Sequence, residues 1–123
     1  MNHTGLTMAV VDDDDSVRIA LRQLLCAAQF GALSFSSAEE FLGSRDVEHV
    51  DCLIVDVNLP GMSGVALVRA LTAAGRSIPV VLISARDDPT TLALIRAADR
   101  VPYLRKPFSD DELFAAIAEA VEK

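Results

Sequence analysis

Half of the 123 residues are apolar (51%) and a quarter are charged (24%), a balance typical of a globular chain that buries its own core, so we predict one domain spanning residues 1–123. Eighteen acidic against eleven basic residues give a net charge of -7, which opposes direct binding to nucleic acid. No apolar run approaches the roughly 20 residues that span a bilayer, and Met1 to Thr7 lacks a signal-peptide pattern, so we expect a cytoplasmic protein without membrane contact.

Five short apolar runs predict β-strands, and longer segments of helical periodicity separate them. The runs are Met8–Asp12, Ala32–Phe35, Cys52–Asp56, Pro79–Ser84 and Tyr103–Arg105. The first, third and fourth are almost wholly apolar, which is typical of central parallel strands buried on both faces, whereas the second and fifth look peripheral. The alternation of strands and helices predicts a (βα)5 order with a mostly parallel sheet.

The first helix is predicted between the first two strands, where apolar residues recur at helical spacing from Val17 to Ala28. This pattern places Arg18 and Arg22 on the outward face. Cys26 lies within the helical pattern and Cys52 opens the third strand, so we interpret both cysteines as small core residues rather than as a disulfide or a ligand pair.

The remaining four helices are predicted from their start signals and periodicity. Capping boxes, in which a serine and a glutamate three residues later satisfy free amides, open the second helix at Ser37–Glu40 and the fifth at Ser109–Glu112. The third and fourth helices are predicted over Ser63–Ala74 and Pro89–Ala98, with Gly75 as a C-cap.

Polar residues follow four of the predicted strands. Asp12 and Asp13 end the first strand, Asp56 the third and Ser84 the fourth, while Lys106 follows the fifth. Ligands of open parallel α/β sheets bind beyond the carboxyl ends of the strands, so these five side chains are expected to converge. Ser84 or Lys106 alone would be an ordinary strand-end or surface residue; their coincidence with three carboxylates is what points to a site.

Clustered carboxylates repel one another, and a hard divalent cation would compensate them. We predict a Mg2+ site, also open to Mn2+, with Asp13 and Asp56 as direct ligands, Asp12 orienting a bound water and the backbone carbonyl of Asn58 completing the protein's share. A carboxylate beside such an ion is a competent nucleophile towards phosphorus, and Asp56 is placed for that role. Lys106 and Ser84 would hold further phosphoryl oxygens.

Other polar residues are interpreted more simply. Asp14 and Asp15 are expected to be solvated carboxylates at a helix start, where the helix dipole favours them. His3 and His49 are predicted to be exposed and outside the site, because neither lies near a predicted strand end.

Four sequence blocks carry a family resemblance. They are Val11–Asp14, Ile54–Gly64, Leu82–Ala85 and Tyr103–Phe108. In this order the chain resembles the receiver domains of two-component response regulators, and the resemblance covers Met8 to Val121. It implies a flavodoxin-like three-layer sandwich with a five-stranded parallel sheet of order 2-1-3-4-5.

The resemblance also implies a mechanism. Asp56 would take a phosphoryl group from a sensor histidine kinase, a phosphotransfer protein or a small phosphodonor in a Mg2+-dependent reaction. The protein would then be a phosphoacceptor switch that assists its own phosphorylation and dephosphorylation, rather than an enzyme. Ser84 and Tyr103 match the moving residues of the switch, Lys106–Pro107 the family's cis peptide, and the output would be the face of helix 4, strand 5 and helix 5. The partners expected besides the kinase are an output domain or an effector protein. The sequence leaves open whether activation also produces a homodimer.

One segment departs from the family pattern. Asp99 stands where the family usually has glycine, and Arg100 and Pro102 follow it. Aspartate tolerates the left-handed conformation better than most residues, so we expect the turn to be kept and the output face to differ.

Two alternatives remain open at this point. A phosphatase of the haloacid dehalogenase kind shares the aspartate, metal, hydroxyl and lysine, but Asp56-Val57-Asn58 lacks the second aspartate of its Asp-x-Asp pair, and 123 residues leave no room for a cap domain. A pseudo-receiver would keep the fold as an interaction module without phosphorylation. The sequence also leaves open whether the chain is a stand-alone regulator or part of a longer protein.

Overall fold

The computed structural model describes residues 5–98 and 101–122. Within these residues five strands alternate with five α-helices, as the sequence predicted. The strands are β1 (Thr7–Val11), β2 (Gly31–Phe35), β3 (Cys52–Asp56), β4 (Val80–Ser84) and β5 (Tyr103–Arg105). The helices are α1 (Asp15–Ala27), α2 (Ala38–Leu42), α3 (Gly64–Ala73), α4 (Pro89–Ala97) and α5 (Asp110–Val121). The turn at Asp99, and His3, lie outside the described residues.

The five strands form one parallel sheet in the order β2-β1-β3-β4-β5, which confirms the predicted topology. Val11 of β1 pairs with Val55 of β3, and Asp56 of β3 pairs with Ile83 of β4, so the central strands end almost level with one another. The polar residues at these ends therefore share one edge of the sheet.

Two hydrophobic clusters cover the two faces of the sheet, since successive side chains of each strand point to opposite faces. On one face, Leu53 and Val55 of β3 pack in the same cluster as Phe41 of α2 and Leu67 of α3, with α4 beside them. On the other face, Ile54 packs with residues of α1 and α5. The domain is thus a three-layer sandwich in which β1, β3 and β4 are buried on both faces.

One of the two predicted capping boxes is formed, that of Ser109 and Glu112 at α5. Asp14 is exposed at the start of α1 as expected, and its carboxylate also caps the helix, which the sequence did not predict. At α2, Ser37 accepts a hydrogen bond from the Glu40 amide as predicted, but the Glu40 carboxylate accepts from the amide and hydroxyl of Ser36 instead of closing the box.

Three further differences separate structure from prediction. Cys26 is exposed, so only Cys52 is a core thiol; Cys26 follows the buried Leu25 by one position and therefore points about 100° away around the helix. Arg18 turns inward to the site rather than outward. A 3-10 helix at Arg45–His49 precedes β3 and has no counterpart in the predicted elements.

Among the described residues no helix is both long and apolar enough to span a bilayer.

Candidate functional site

Three carboxylates meet at the carboxyl edge of the sheet. Asp12 follows β1 and Asp56 ends β3, and both are buried, whereas Asp13 is exposed at the rim. One oxygen from each of the three residues lies within 4.8 Å of the others. The predicted convergence of Asp12, Asp13 and Asp56 is therefore present in the structure.

Lys106 joins this cluster as a cation. Its ammonium nitrogen lies 2.7 Å from Oδ2 of Asp12 and 2.8 Å from Oδ2 of Asp56. The backbone amide of Lys106 donates to the carbonyl of Ser84 at 2.8 Å, so the ladder between β4 and β5 sets where the side chain starts. Three carboxylates and one ammonium leave the cluster with a formal charge of about -2 when all are ionised.

Burial and hydrogen bonding shift the pKa values of Asp12 and Lys106 in opposite directions. Burial raises the pKa of Asp12 above its usual value, and the hydrogen bonds from Lys106 and the Asp14 amide offset only part of that rise. Burial lowers the pKa of Lys106, but the hydrogen bonds that it donates to Asp12 and Asp56 outweigh burial and leave the pKa raised. The lysine is therefore charged, and the pocket resists carrying its full negative charge without a further cation.

The backbone around Asp56 holds its carboxylate in place. The amide of Asn58 donates to Oδ1 of Asp56 at 2.7 Å, so both oxygens of Asp56 accept hydrogen bonds. Gly64, at the start of α3, packs directly on the Asp56 peptide: a Cβ there would overlap the Asp56 carbonyl oxygen and lie 3.0 Å from the carbonyl carbon. The helix that follows the loop is thereby set against the strand end.

Ser84 lies beside the cluster, but its hydroxyl does not point to the carboxylates. It donates to Oδ1 of Asn58 at 2.5 Å and accepts from the amide of Arg86 at 3.0 Å. The side chain of Asn58 in turn donates to Oγ1 of Thr91 at 2.9 Å. The predicted hydroxyl is thus close to the site and bound to a neighbour.

Tyr103 sits on β5 with a half-buried ring packed against the core cluster that contains Val55. Its hydroxyl oxygen is buried and has no hydrogen-bond partner within residues 5–98 and 101–122. A buried hydroxyl without a partner costs about 1–3 kcal/mol, so this position of the ring is not favoured by its polar end. His49 is exposed on the 3-10 helix and away from the strand ends, as predicted.

Two residues lie beside the carboxylate cluster although the sequence did not predict them there. Arg18 donates from Nη1 to the backbone carbonyl of Asp12 at 2.6 Å and pairs with Asp15, with only 18% of its side chain exposed. The capping signal at Asp14 could have indicated this, because a helix that starts directly after the site brings its first turn within reach of it. Thr91 is almost fully buried, and no sequence signal distinguishes it from Thr90.

The donor set fits a hard divalent cation. It consists of carboxylate oxygens with no sulfur or imidazole among the three clustered residues, which is the chemistry that Mg2+ prefers. The raised pKa of Asp12 also favours a cation at this site, because a bound cation would stabilise the ionised carboxylate and lower its pKa.

The fold and the site together define a class: a flavodoxin-like α/β domain with an acidic pocket and a lysine at the carboxyl edge of its sheet. The family model for the response regulator receiver domain matches residues 8–118. The chain belongs to this family, and it is a receiver domain of the kind found in two-component response regulators.

Named relatives agree with this assignment. The response regulator protein TodT of Pseudomonas putida is 35% identical over 99% of this chain and 54% of its own length. The solved structure of the response regulator StyR matches with a TM-score of 0.82 and 42% identity, over 94% of this chain and 59% of that one. The FixJ-N structure matches with a TM-score of 0.84 and 32% identity, over 97% of this chain and 95% of that one. The chain spans about half the length of the curated relatives it matches.

Proposed function

We propose that this chain is a phosphoacceptor switch in which Asp56 receives a phosphoryl group from a sensor histidine kinase, a phosphotransfer protein or a small phosphodonor, with Mg2+ bound beside it. The observation that carries the proposal is the contact set of Asp56: a buried strand-end carboxylate, within 4.8 Å of Asp12 and Asp13, with the Lys106 ammonium 2.8 Å away.

The metal would be held by Asp13 and Asp56 directly, with Asp12 orienting a bound water and the Asn58 backbone carbonyl as a further ligand. Mn2+ would bind the same oxygen ligands in place of Mg2+. When bound, the ion supplies positive charge that neutralises the phosphoryl oxygens during transfer. The chain's own residues perform the remaining steps.

In the transfer step, one carboxylate oxygen of Asp56 forms a bond to phosphorus while the bond from phosphorus to the donor's imidazole nitrogen breaks. The electron pair of that bond leaves with the imidazole, and Asp56 becomes an acyl phosphate. Lys106 would exchange its contact with the Asp56 carboxylate for one with a phosphoryl oxygen, and Ser84 would donate its hydroxyl to another.

The output would be a change on the face formed by α4, β5 and α5. Engagement of Ser84 would draw the loop after β4 towards Asp56, and Tyr103, whose hydroxyl has no partner among the described residues, would move with it. An output domain, an effector protein or a second copy of the chain would read this face, and direct contact of the domain with nucleic acid is not expected.

The phosphatase alternative is disfavoured by the side chain of Asn58. A hydrolase of that kind needs a carboxylic acid two residues after the nucleophile, and this position holds an amide bound to Ser84 and Thr91. No general acid stands at this position.

The test is phosphorylation of the purified chain by acetyl phosphate with Mg2+, followed by intact-mass measurement. We expect the wild type and Asp111→Asn, which removes an exposed carboxylate on α5, to gain one phosphoryl group, and Asp56→Asn to gain none. Labelling of Asp56→Asn to the wild-type level would refute the acceptor assignment. Failure of the wild type to take label or to bind beryllofluoride with Mg2+ would favour the pseudo-receiver.

A further inference from the structure

The hydroxyl proton of Ser84 is already in use. Ser84 is fully buried, and its hydroxyl has two acceptors within reach: Oδ1 of Asn58 at 2.5 Å, and the backbone carbonyl oxygen of Arg86, which is farther away at 3.3 Å. The shorter contact assigns the single proton to Asn58. A hydroxyl donates only one hydrogen bond, so Ser84 cannot serve Asn58 and a phosphoryl oxygen at the same time. Any residue that stabilises the hydrogen bond from Ser84 to Asn58 therefore opposes a hydrogen bond from Ser84 to the phosphoryl group.

Such a partner is Thr91, on the first turn of α4. Its Oγ1 accepts a hydrogen bond from Nδ2 of Asn58 at 2.9 Å, across 33 residues of sequence, and only 1% of the threonine is exposed. With Nδ2 held by Thr91, the amide of Asn58 presents its oxygen to Ser84. Thr91 thereby fixes which end of the amide faces the hydroxyl.

The direction of this chain of hydrogen bonds is set at its far end. The hydroxyl of Thr91 donates to Oδ1 of Asp88 at 2.8 Å, and the Asp88 carboxylate also accepts from Nε of Arg86. The hydrogen bond from Thr91 lowers the pKa of Asp88, so this carboxylate is ionised at neutral pH and can only accept. The Thr91 proton is committed to Asp88, which leaves its oxygen free to accept from Asn58.

The same series of hydrogen bonds reaches the start of α4, which belongs to the proposed output face. Asp88 is the N-cap of α4 and accepts from the Thr91 amide at 3.2 Å. The loop after β3, the hydroxyl that ends β4 and the start of α4 are therefore joined through Asn58 and Thr91.

We propose that Thr91 is a positioning residue which, through Asn58, holds the Ser84 hydroxyl away from the phosphoryl group in the unphosphorylated protein. The proposal rests on the function proposed above for Asp56. Phosphorylation must break the bond between Ser84 and Asn58, and the loss of that bond is passed to the start of α4 through Thr91. We call the two hydrogen bonds, from Ser84 to Asn58 and from Asn58 to Thr91, the latch. The latch lowers the population of the state in which Ser84 contacts the phosphoryl group, and its removal shifts the equilibrium towards that state.

The test compares Thr91→Val, which removes the hydroxyl at nearly constant shape, with Thr91→Ser, which keeps it. Binding of beryllofluoride with Mg2+, measured by the 19F signal of the bound fluoride, is expected to tighten by about 2- to 10-fold in Thr91→Val, the factor expected for one net hydrogen bond. Thr91→Ser is expected to bind as the wild type does. If the valine variant does not fold, Thr91→Ala removes the same hydroxyl.

A second readout follows the Asn58 side-chain amide by 15N NMR, in a spectral region with few signals because the chain has only two asparagines and two glutamines. Without Mg2+, the signal should move in Thr91→Val and stay in place in Thr91→Ser. Unchanged or weaker beryllofluoride binding in Thr91→Val would overturn the proposal, as would an equal effect of both variants, since packing alone would explain that. If the wild type binds no beryllofluoride, the proposed function fails, while the amide shift without Mg2+ still tests the latch.

Discussion

Replacing Gly64 with alanine is expected to destabilise the domain although glycine is a poor helix former. Gly64 begins α3 and lies against the peptide of Asp56. An added Cβ would overlap the Asp56 carbonyl oxygen and approach Cγ2 of Val55 to 3.2 Å. Since the obstacle is buried backbone on β3, neither side can yield without moving the strand end.

The magnitude follows from two opposing effects. Overpacking of a buried site costs about 1–3 kcal/mol, and alanine recovers at most about 1 kcal/mol through its helix propensity. We therefore expect a loss in the free energy of unfolding of between about 0 and 3 kcal/mol, centred near 1.5 kcal/mol. With an m-value of about 1–3 kcal/mol/M in urea, this central value lowers the urea midpoint by roughly 0.5–1.5 M. Displacement of Asp56 should also slow phosphorylation by acetyl phosphate.

The assay is urea unfolding followed by circular dichroism, with Gly43→Ala as the matched control. Gly43 ends α2 with a φ of -81°, and a Cβ there would lie 3.5 Å from the Glu39 carbonyl oxygen, an ordinary contact. Alanine at position 43 should leave the midpoint unchanged or raise it slightly. Equal midpoints for the two variants would refute the reasoning that close packing on Asp56 requires glycine.

Two further predictions concern titratable groups. Without metal, Asp12→Asn should stabilise the fold at neutral pH: the pKa of Asp12 is raised in the native state, so the wild type loses stability as pH rises from 3.8 through that higher native value, and the variant does not. Urea midpoints measured with EDTA between about pH 3.5 and 7 check this, and a gain that grows on acidification would contradict it. The two cysteines should differ in reactivity, because Cys26 is exposed whereas burial raises the pKa of the Cys52 thiol to about 12. A thiol reagent should modify one cysteine rapidly in the native protein and none in Cys26→Ser; a second rapid reaction would show that Cys52 is accessible.

The fold was predictable because its signals are local. Runs such as Cys52–Asp56 are short, apolar and separated by segments of helical periodicity, which favours buried strands, and the capping box at Ser109 marks a helix start. The errors arose where a local signal had a competitor. Glu40 had both Ser36 and Ser37 within reach, and the choice between them depends on backbone geometry that the sequence does not state.

The site was predictable in its members and not in its connections. Strand-end position alone brought Asp12, Asp56 and Lys106 together. The position of the Ser84 proton, the orientation of the Asn58 amide and the role of Thr91 depend on how α4 packs against the loop after β3, a contact across 33 residues. Side-chain chemistry tells which bonds each group can form, and tertiary packing decides among them.

The strands of the sheet differ in how firmly burial and pairing hold them in place. Asp56 stands on β3, whose five residues are all buried and which has neighbours on both sides. Tyr103 stands on β5, a three-residue edge strand that pairs with β4 alone among the described strands and whose own residues are all partly or fully exposed. Substitutions on this edge strand are therefore expected to disturb Asp56 less than substitutions on β3, so that the surface at β5 can diverge while the geometry around Asp56 is preserved.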